Sequence, residues 1–183
     1  MRLIIADNYL CFESLLEMIL SDVNPSSHFT QTDLAELFGI TIPKGEHTII
    51  KNVHYSNNIE EYGTNVCVED INNFFDINSI PLKLTFLSSN HLDEMTFGEQ
   101  IAMKIESAYI VFAFSYGVLY NEPHNHCVGH VTLLEHIDAK ADLIQVYDPG
   151  PRNPGSKIFN IDDMLYAMKR RGGVFFFTRK EIN

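Results

Sequence analysis

The spacing of apolar residues changes character midway along this 183-residue chain, and that change limits the folds open to it. In the first half, Phe12, Leu15, Leu16, Ile19 and Leu20 recur every three or four positions, which gives a helix starting near Cys11 one apolar face. Thr30-Gln31-Thr32-Asp33 announces a second helix, where a hydroxyl or carboxylate can cap the N-terminus. Leu34, Leu37 and Phe38 form its buried side, and Gly39 suits its stop. A third helix is expected over 67–76, a strand over 82–88 and a helix over 93–107, while 40–65 is polar and irregular with short strands around 47–53. From 108 onward the pattern is that of strands, over 108–119, 129–137, 142–147 and 173–179. One helix over 160–170 interrupts them, with Asn160 as its N-cap and Lys169, Arg170 and Arg171 at its negative end. Helices gathered first and antiparallel-type strands gathered second predict an α+β fold, N-terminal helices packed on a C-terminal antiparallel sheet.

The length suits one compact domain over 1–183, and no repeat or linker divides it. At 45% apolar residues the chain can build a core. A formal net charge of −11 repels phosphate backbones and anionic lipid, so neither nucleic acid nor membrane is expected as a partner. Asp7, Asn8, Glu13 and Glu17 break up the N-terminal apolar residues, so no signal peptide is read there. Cys11, Cys67 and Cys127 are odd in number and widely spaced, which points to free thiols in a cytoplasmic protein. Nothing in the sequence specifies an oligomeric state.

Three residues carry a possible chemistry. Cys11 sits at the first turn of the first helix, where unpaired N–H groups and the positive dipole end stabilise a thiolate. His130 opens a strand, and imidazole can take and return a proton near neutral pH. Asp148 ends the next strand, and a hairpin would bring it close enough to orient the imidazole. Each also has an ordinary reading: a small buried cysteine, an edge-strand histidine, a turn aspartate before Pro149 and Gly150. It is the ordered set of all three that favours a catalytic triad and an acyl-thioester on Cys11. Asn8 is the nearest amide that could donate to an oxyanion beside the Cys11 backbone N–H.

The stretch HNHCVGH offers His124, His126, Cys127 and His130 as zinc ligands. On an extended segment the three histidines share one face and Cys127 takes the other, so no metal is assigned, and no cofactor. His124 and His126 are expected in a loop beside the site, in contact with substrate. Cys67 heads the third helix without a flanking motif and reads as core. The runs FAFSY and VFFF read as buried strands, and Lys169, Arg170 and Arg171 as a helix end rather than a binding patch.

The segments HVTLLEHID and DLIQVYDPGP resemble the His and Asp-Pro motifs of the bacteriocin-processing leader-peptidase family of papain-like cysteine peptidases. LCFESLLEMIL followed by TQTDLAELFGI is similar to that family's cysteine helix and the helix after it. The resemblance implies a papain-like fold and a peptidase or amidase with Cys11 as nucleophile, His130 as base and Asp148 as orienting acid. The glycine usual after the family's nucleophile is Phe12 here, and its upstream glutamine is Ile5. The pattern Cys-x-Glu-Ser-x-Leu also resembles the N-terminal domain of the butirosin-biosynthesis acyltransferase family, which implies an alternative: transfer of an acyl group from a carrier thioester to an amine. A non-catalytic papain-like protein that binds peptides is the third reading.

Overall fold

The computed structural model describes residues 1–92 and 96–180. In chain order it contains α1 (Cys11–Val23), α2 (Gln31–Phe38), β1 (Ile40–Pro43), β2 (Val53–Ser56), α3 (Val68–Ile77), β3 (Leu82–Ser88), α4 (Phe97–Ala102) and β4 (Ala108–Ser115). There follow α5 (Tyr116–Leu119), β5 (Gly129–Asp138), β6 (Leu143–Asp148), β7 (Gly155–Asn160), α6 (Ile161–Arg170) and β8 (Gly173–Arg179). The fold is α+β, as the segregated patterns predict.

Six strands form one sheet in the order β3-β8-β4-β5-β6-β7, every neighbouring pair antiparallel. The central strands are apolar at consecutive positions because helices cover both faces. Phe175 and Phe177 of β8 pack on one face with Phe12, Leu15, Leu16 and Ile19 of α1 and with Phe74 and Phe75 of α3. Val174 and Phe176 point the other way, to Met164, Leu165 and Met168 of α6 and to Phe97 of α4. The runs FAFSY and VFFF are therefore strand residues as expected, up to Ser115. Gly172 and Gly173 let β8 enter between its neighbours: a Cβ at Gly172 would lie 1.9 Å from the Ala113 carbonyl oxygen, and one at Gly173 2.3 Å from that of Leu87.

Thr30 and Asp33 form a reciprocal capping box on α2, and Gly39 closes it with φ 79°. Asn160 holds the N-cap position of α6, but its carboxamide donates to Asp163 rather than accepting from the helix backbone. Several elements differ from the spacing-based expectation. The strand expected over 108–119 ends at Ser115 and turns into α5, since Gly117 packs where a Cβ would meet the Glu122 carbonyl oxygen at 2.3 Å. The strands expected near 47–53 are instead β1 and β2, which pair in parallel with Ile40 opposite Val53. The helix expected over 93–107 is confined to α4, and its first residues, 93–95, lie outside the described ones. The edge strand β7 was not expected at all. Its side chains alternate between half-buried and exposed, a weak signal beside the three prolines and two glycines of 149–155.

All three cysteines are free. Cys67 is exposed, which corrects its reading as a core residue. It is the N-cap of α3, and its extended backbone (φ −95°, ψ 112°) takes it off the helical path that buries Ile71, Phe74 and Phe75. Among the described residues, no helix is long and apolar enough to cross a membrane.

Candidate active site

Strands β5 and β6 form the hairpin expected from their sequences, with Leu133 opposite Tyr147. That register brings the start of β5 to the end of β6, and there His130 Nε2 lies 2.7 Å from Asp148 Oδ1. Both side chains are buried, at 8% and 3% exposure, so the pair is screened from water. Helix α1 supplies the third group. The Cys11 thiol stands against the imidazole, close enough to act on its ionisation, and Nε2 is already committed to Asp148. The structure thus brings together the three residues Cys11, His130 and Asp148.

The extended N-terminal segment before Cys11 fixes α1 against β6. The Ala6 N–H donates to the Pro149 carbonyl at 2.7 Å, and the Tyr147 hydroxyl donates to the Ile4 carbonyl at 3.0 Å. Gln31 closes the same segment from α2, accepting from the Asp7 N–H and donating to the Ile5 carbonyl. A turn at Asn8 and Tyr9, with Tyr9 at φ 69°, then leads into the helix. Cys11 is its first residue. The first intrahelical bond runs from the Ser14 N–H to Leu10, and Leu10 provides no side-chain cap. The Cys11 N–H therefore points out of the helix end without an intrahelical acceptor.

The imidazole plane is held by two aromatic rings. Phe114 and Tyr116 meet it edge to face, at 5.7 Å and 5.3 Å, each at 87°. Burial disfavours charge on His130, yet the Cys11 and Asp148 groups outweigh it and push its pKa up to about 10. Asp148 shows the complementary balance. Burial pushes its carboxyl up, and hydrogen bonds from His130, from the Tyr120 hydroxyl and from the Gly150 N–H at 2.7 Å hold it below the usual carboxylate range. Burial and the neighbouring carboxylate raise the Tyr120 phenol well above its ordinary value, so it remains a donor to Asp148 Oδ2. Tyr120 also stacks on Tyr116 at 4.6 Å, so the short helix α5 and its C-cap residue orient both members of the pair.

Tyr116, Tyr120 and Gly150 escaped the sequence reading. The i, i+4 spacing in YGVLY was the available signal, hidden inside an apolar run that reads as strand. Gly150 carries no sequence signal beyond that of a turn residue. A Cβ there would lie 2.8 Å from Asp148 Oδ1 and 3.2 Å from His130 Cε1. Gly150→Ala is therefore expected to push the pair apart and to slow alkylation of Cys11 about tenfold at neutral pH. Rates from intact-protein mass spectrometry, with circular dichroism to show an unchanged fold, check this.

The remaining expected site residues sit further out. Asn8 is exposed in the turn before Cys11. His124 is exposed in a 3-10 turn over Pro123–Asn125. His126 is exposed too, and its carbonyl accepts from the Ser115 hydroxyl at 2.6 Å. Both histidines lie in the loop that leads to His130. No group of three or more His, Cys, Asp or Glu side chains among the described residues is placed to hold a metal ion. No protein-family model matches the chain, and a search of curated proteins finds no match either.

Proposed function

We propose that this chain is a cysteine-nucleophile acyl-transfer enzyme of papain-like fold, a peptidase or amidase that works through a thioester on Cys11. The observation that carries the reading is the buried His130–Asp148 pair facing the thiol at the start of α1. A helix-start cysteine, a strand-start histidine and a strand-end aspartate stand in the order that the resemblance implies.

In this reading the Cys11 thiolate attacks the carbonyl carbon, a C–S bond forms, and the carbonyl oxygen becomes an oxyanion. The unpaired Cys11 N–H is a donor to that oxygen, and the Asn8 carboxamide is the side chain nearest in sequence to join it. As the oxyanion collapses, the C–N bond breaks and the His130 imidazolium gives its proton to the leaving amine. Water then attacks the thioester while His130 takes its proton; as the second oxyanion collapses the C–S bond breaks, the acid departs, and the Cys11 thiolate is left beside the His130 imidazolium. Asp148 keeps the imidazole in one orientation throughout, itself fixed by Tyr120 and Gly150. An acyltransferase would share each step up to the thioester and differ only in using an amine in place of water. A cytoplasmic location fits three free thiols.

Brief treatment with iodoacetamide, followed by intact-protein mass spectrometry, tests the proposal. Exposure alone would favour Cys67 and Cys127, which are exposed, over the half-buried Cys11. A single rapid modification, absent in Cys11→Ala, is expected. Equal or slower labelling of Cys11 overturns the reading. Incubating the protein with peptide and acyl-thioester substrates, with and without an amine acceptor, then separates hydrolysis from transfer by the product formed.

A further inference from the structure

A groove of about 600 Å³ lies beside the loop that enters β5. Glu60, His126, Cys127, Tyr166, Arg170 and Arg171 are among its lining residues. The two arginines are already fixed in place. Arg171 donates Nη1–H to the Cys127 carbonyl at 2.6 Å and Nη2–H to the Glu60 carbonyl. Arg170 donates to the Tyr166 hydroxyl at 2.7 Å and lies 5.1 Å from the centre of that ring. A guanidinium has five N–H groups, so these bonds leave donors on both. Neither is in an ion pair among the described residues. The one carboxylate in the groove, Glu60, accepts from the Cys127 thiol. Two guanidinia without carboxylate partners among the described residues stand out in a chain with 24 acidic and 13 basic residues.

The groove lies at the start of β5, the strand end that carries His130. Arg171 Nε lies 3.0 Å from where a Cβ on Gly129 would be, and Gly129 immediately precedes His130. Cys127 is three residues from His130, a span of at most about 11 Å.

We infer that this groove is a subsite for an anionic side chain of the substrate, a carboxylate on a peptide residue close to the bond that Cys11 attacks. The inference rests on the peptidase reading. It also gives the basic end of α6 a function beyond closing the helix. Pre-set guanidinia recognise an oxyanion in forked geometry without first being ordered, and a cationic groove in an acidic surface selects the anions that the rest of the molecule repels.

Binding to the Cys11→Ala protein tests this without any chemistry. Rhodamine-labelled hexapeptides that differ only in Glu, Gln or phosphoserine at one position are titrated and followed by fluorescence anisotropy, with the position scanned along the peptide. At one position the Glu peptide is expected to bind about tenfold more tightly than its Gln counterpart, and the preference is expected to fade in Arg170→Gln and in Arg171→Gln. Arg171→Gln also releases two backbone carbonyls, so Arg170→Gln is the variant that reads the groove if Arg171→Gln misfolds. A phosphoserine peptide that binds more tightly than the Glu peptide, with the same arginine dependence, assigns the site to phosphate and overturns the carboxylate assignment. Equal affinity for Glu and Gln at every position, or a Glu preference that survives Arg170→Gln, overturns the inference altogether. Failure of the peptidase reading is seen separately, as slow alkylation of Cys11 in the wild type.

Discussion

Replacing His130 with alanine is expected to slow alkylation of Cys11 at pH 6 by about 100-fold or more, with the fold intact. The reason is where the proton resides. Although burial alone would neutralise His130, the thiol and the Asp148 carboxylate hold its proton on to about pH 10. An imidazolium then faces the Cys11 sulfur throughout pH 6 to 9, and the wild-type rate is expected to vary less with pH there than that of the variant. Without the imidazolium, the rate follows the ionised fraction of an isolated thiol, which falls tenfold for each pH unit below its pKa. The two profiles should therefore converge as the pH rises and diverge as it falls. Asp148→Asn keeps the imidazole but loses the carboxylate that fixes it, and its profile is expected between the other two. Second-order rates measured by mass spectrometry across this range decide the matter. Parallel profiles for wild type and His130→Ala would mean that imidazole and thiol do not share a proton.

Features that depend on local spacing were legible in the sequence; those that depend on distant approach were not. The α1 helix and its leading cysteine follow from three- and four-residue spacing, and the α2 cap from Thr30 and Asp33. His130 and Asp148 meet because a hairpin joins adjacent strands, the simplest connection available. By contrast, α5 exists because Gly117 packs against Glu122, Asn125 and His126, and nothing in the apolar run 108–119 announces that. Once it forms, it carries Tyr116 and Tyr120 onto the His–Asp pair, so one missed turn hid two site residues. The role of Arg171 was hidden by distance along the chain, since its two carbonyl partners lie 44 and 111 residues away. A strand apolar on both faces is recognisable as buried, but its sequence does not say which helix covers which face.

Glu13 is expected to make the protein less stable as pH rises toward neutrality, by about 3 kcal/mol in all. By sequence it is one of the polar residues that interrupt the N-terminal apolar run. In the structure it belongs to the first turn of α1 and is fully buried. Its Oε1 accepts from the Thr64 hydroxyl, and Oε2 has no partner among the described residues. Burial raises its pKa from 4.5 to about 7, against smaller opposing effects of the Thr64 bond and its own backbone N–H. A raised folded-state pKa means that the folded protein binds the proton more tightly than the unfolded chain. The stabilisation is complete below the unfolded value of 4.5, drains away as pH climbs toward about 7, and is gone above it. Glu13→Gln cannot ionise, keeps an oxygen for Thr64 and should abolish this slope. The check is urea unfolding of both proteins from pH 5 to 8.5, comparing their difference in stability, because all other groups cancel in it. The variant should gain on the wild type steadily up to about pH 7 and then hold a constant lead. A difference that does not change with pH would mean that water reaches the carboxylate, and that α1 begins at a solvated turn instead of a dry one.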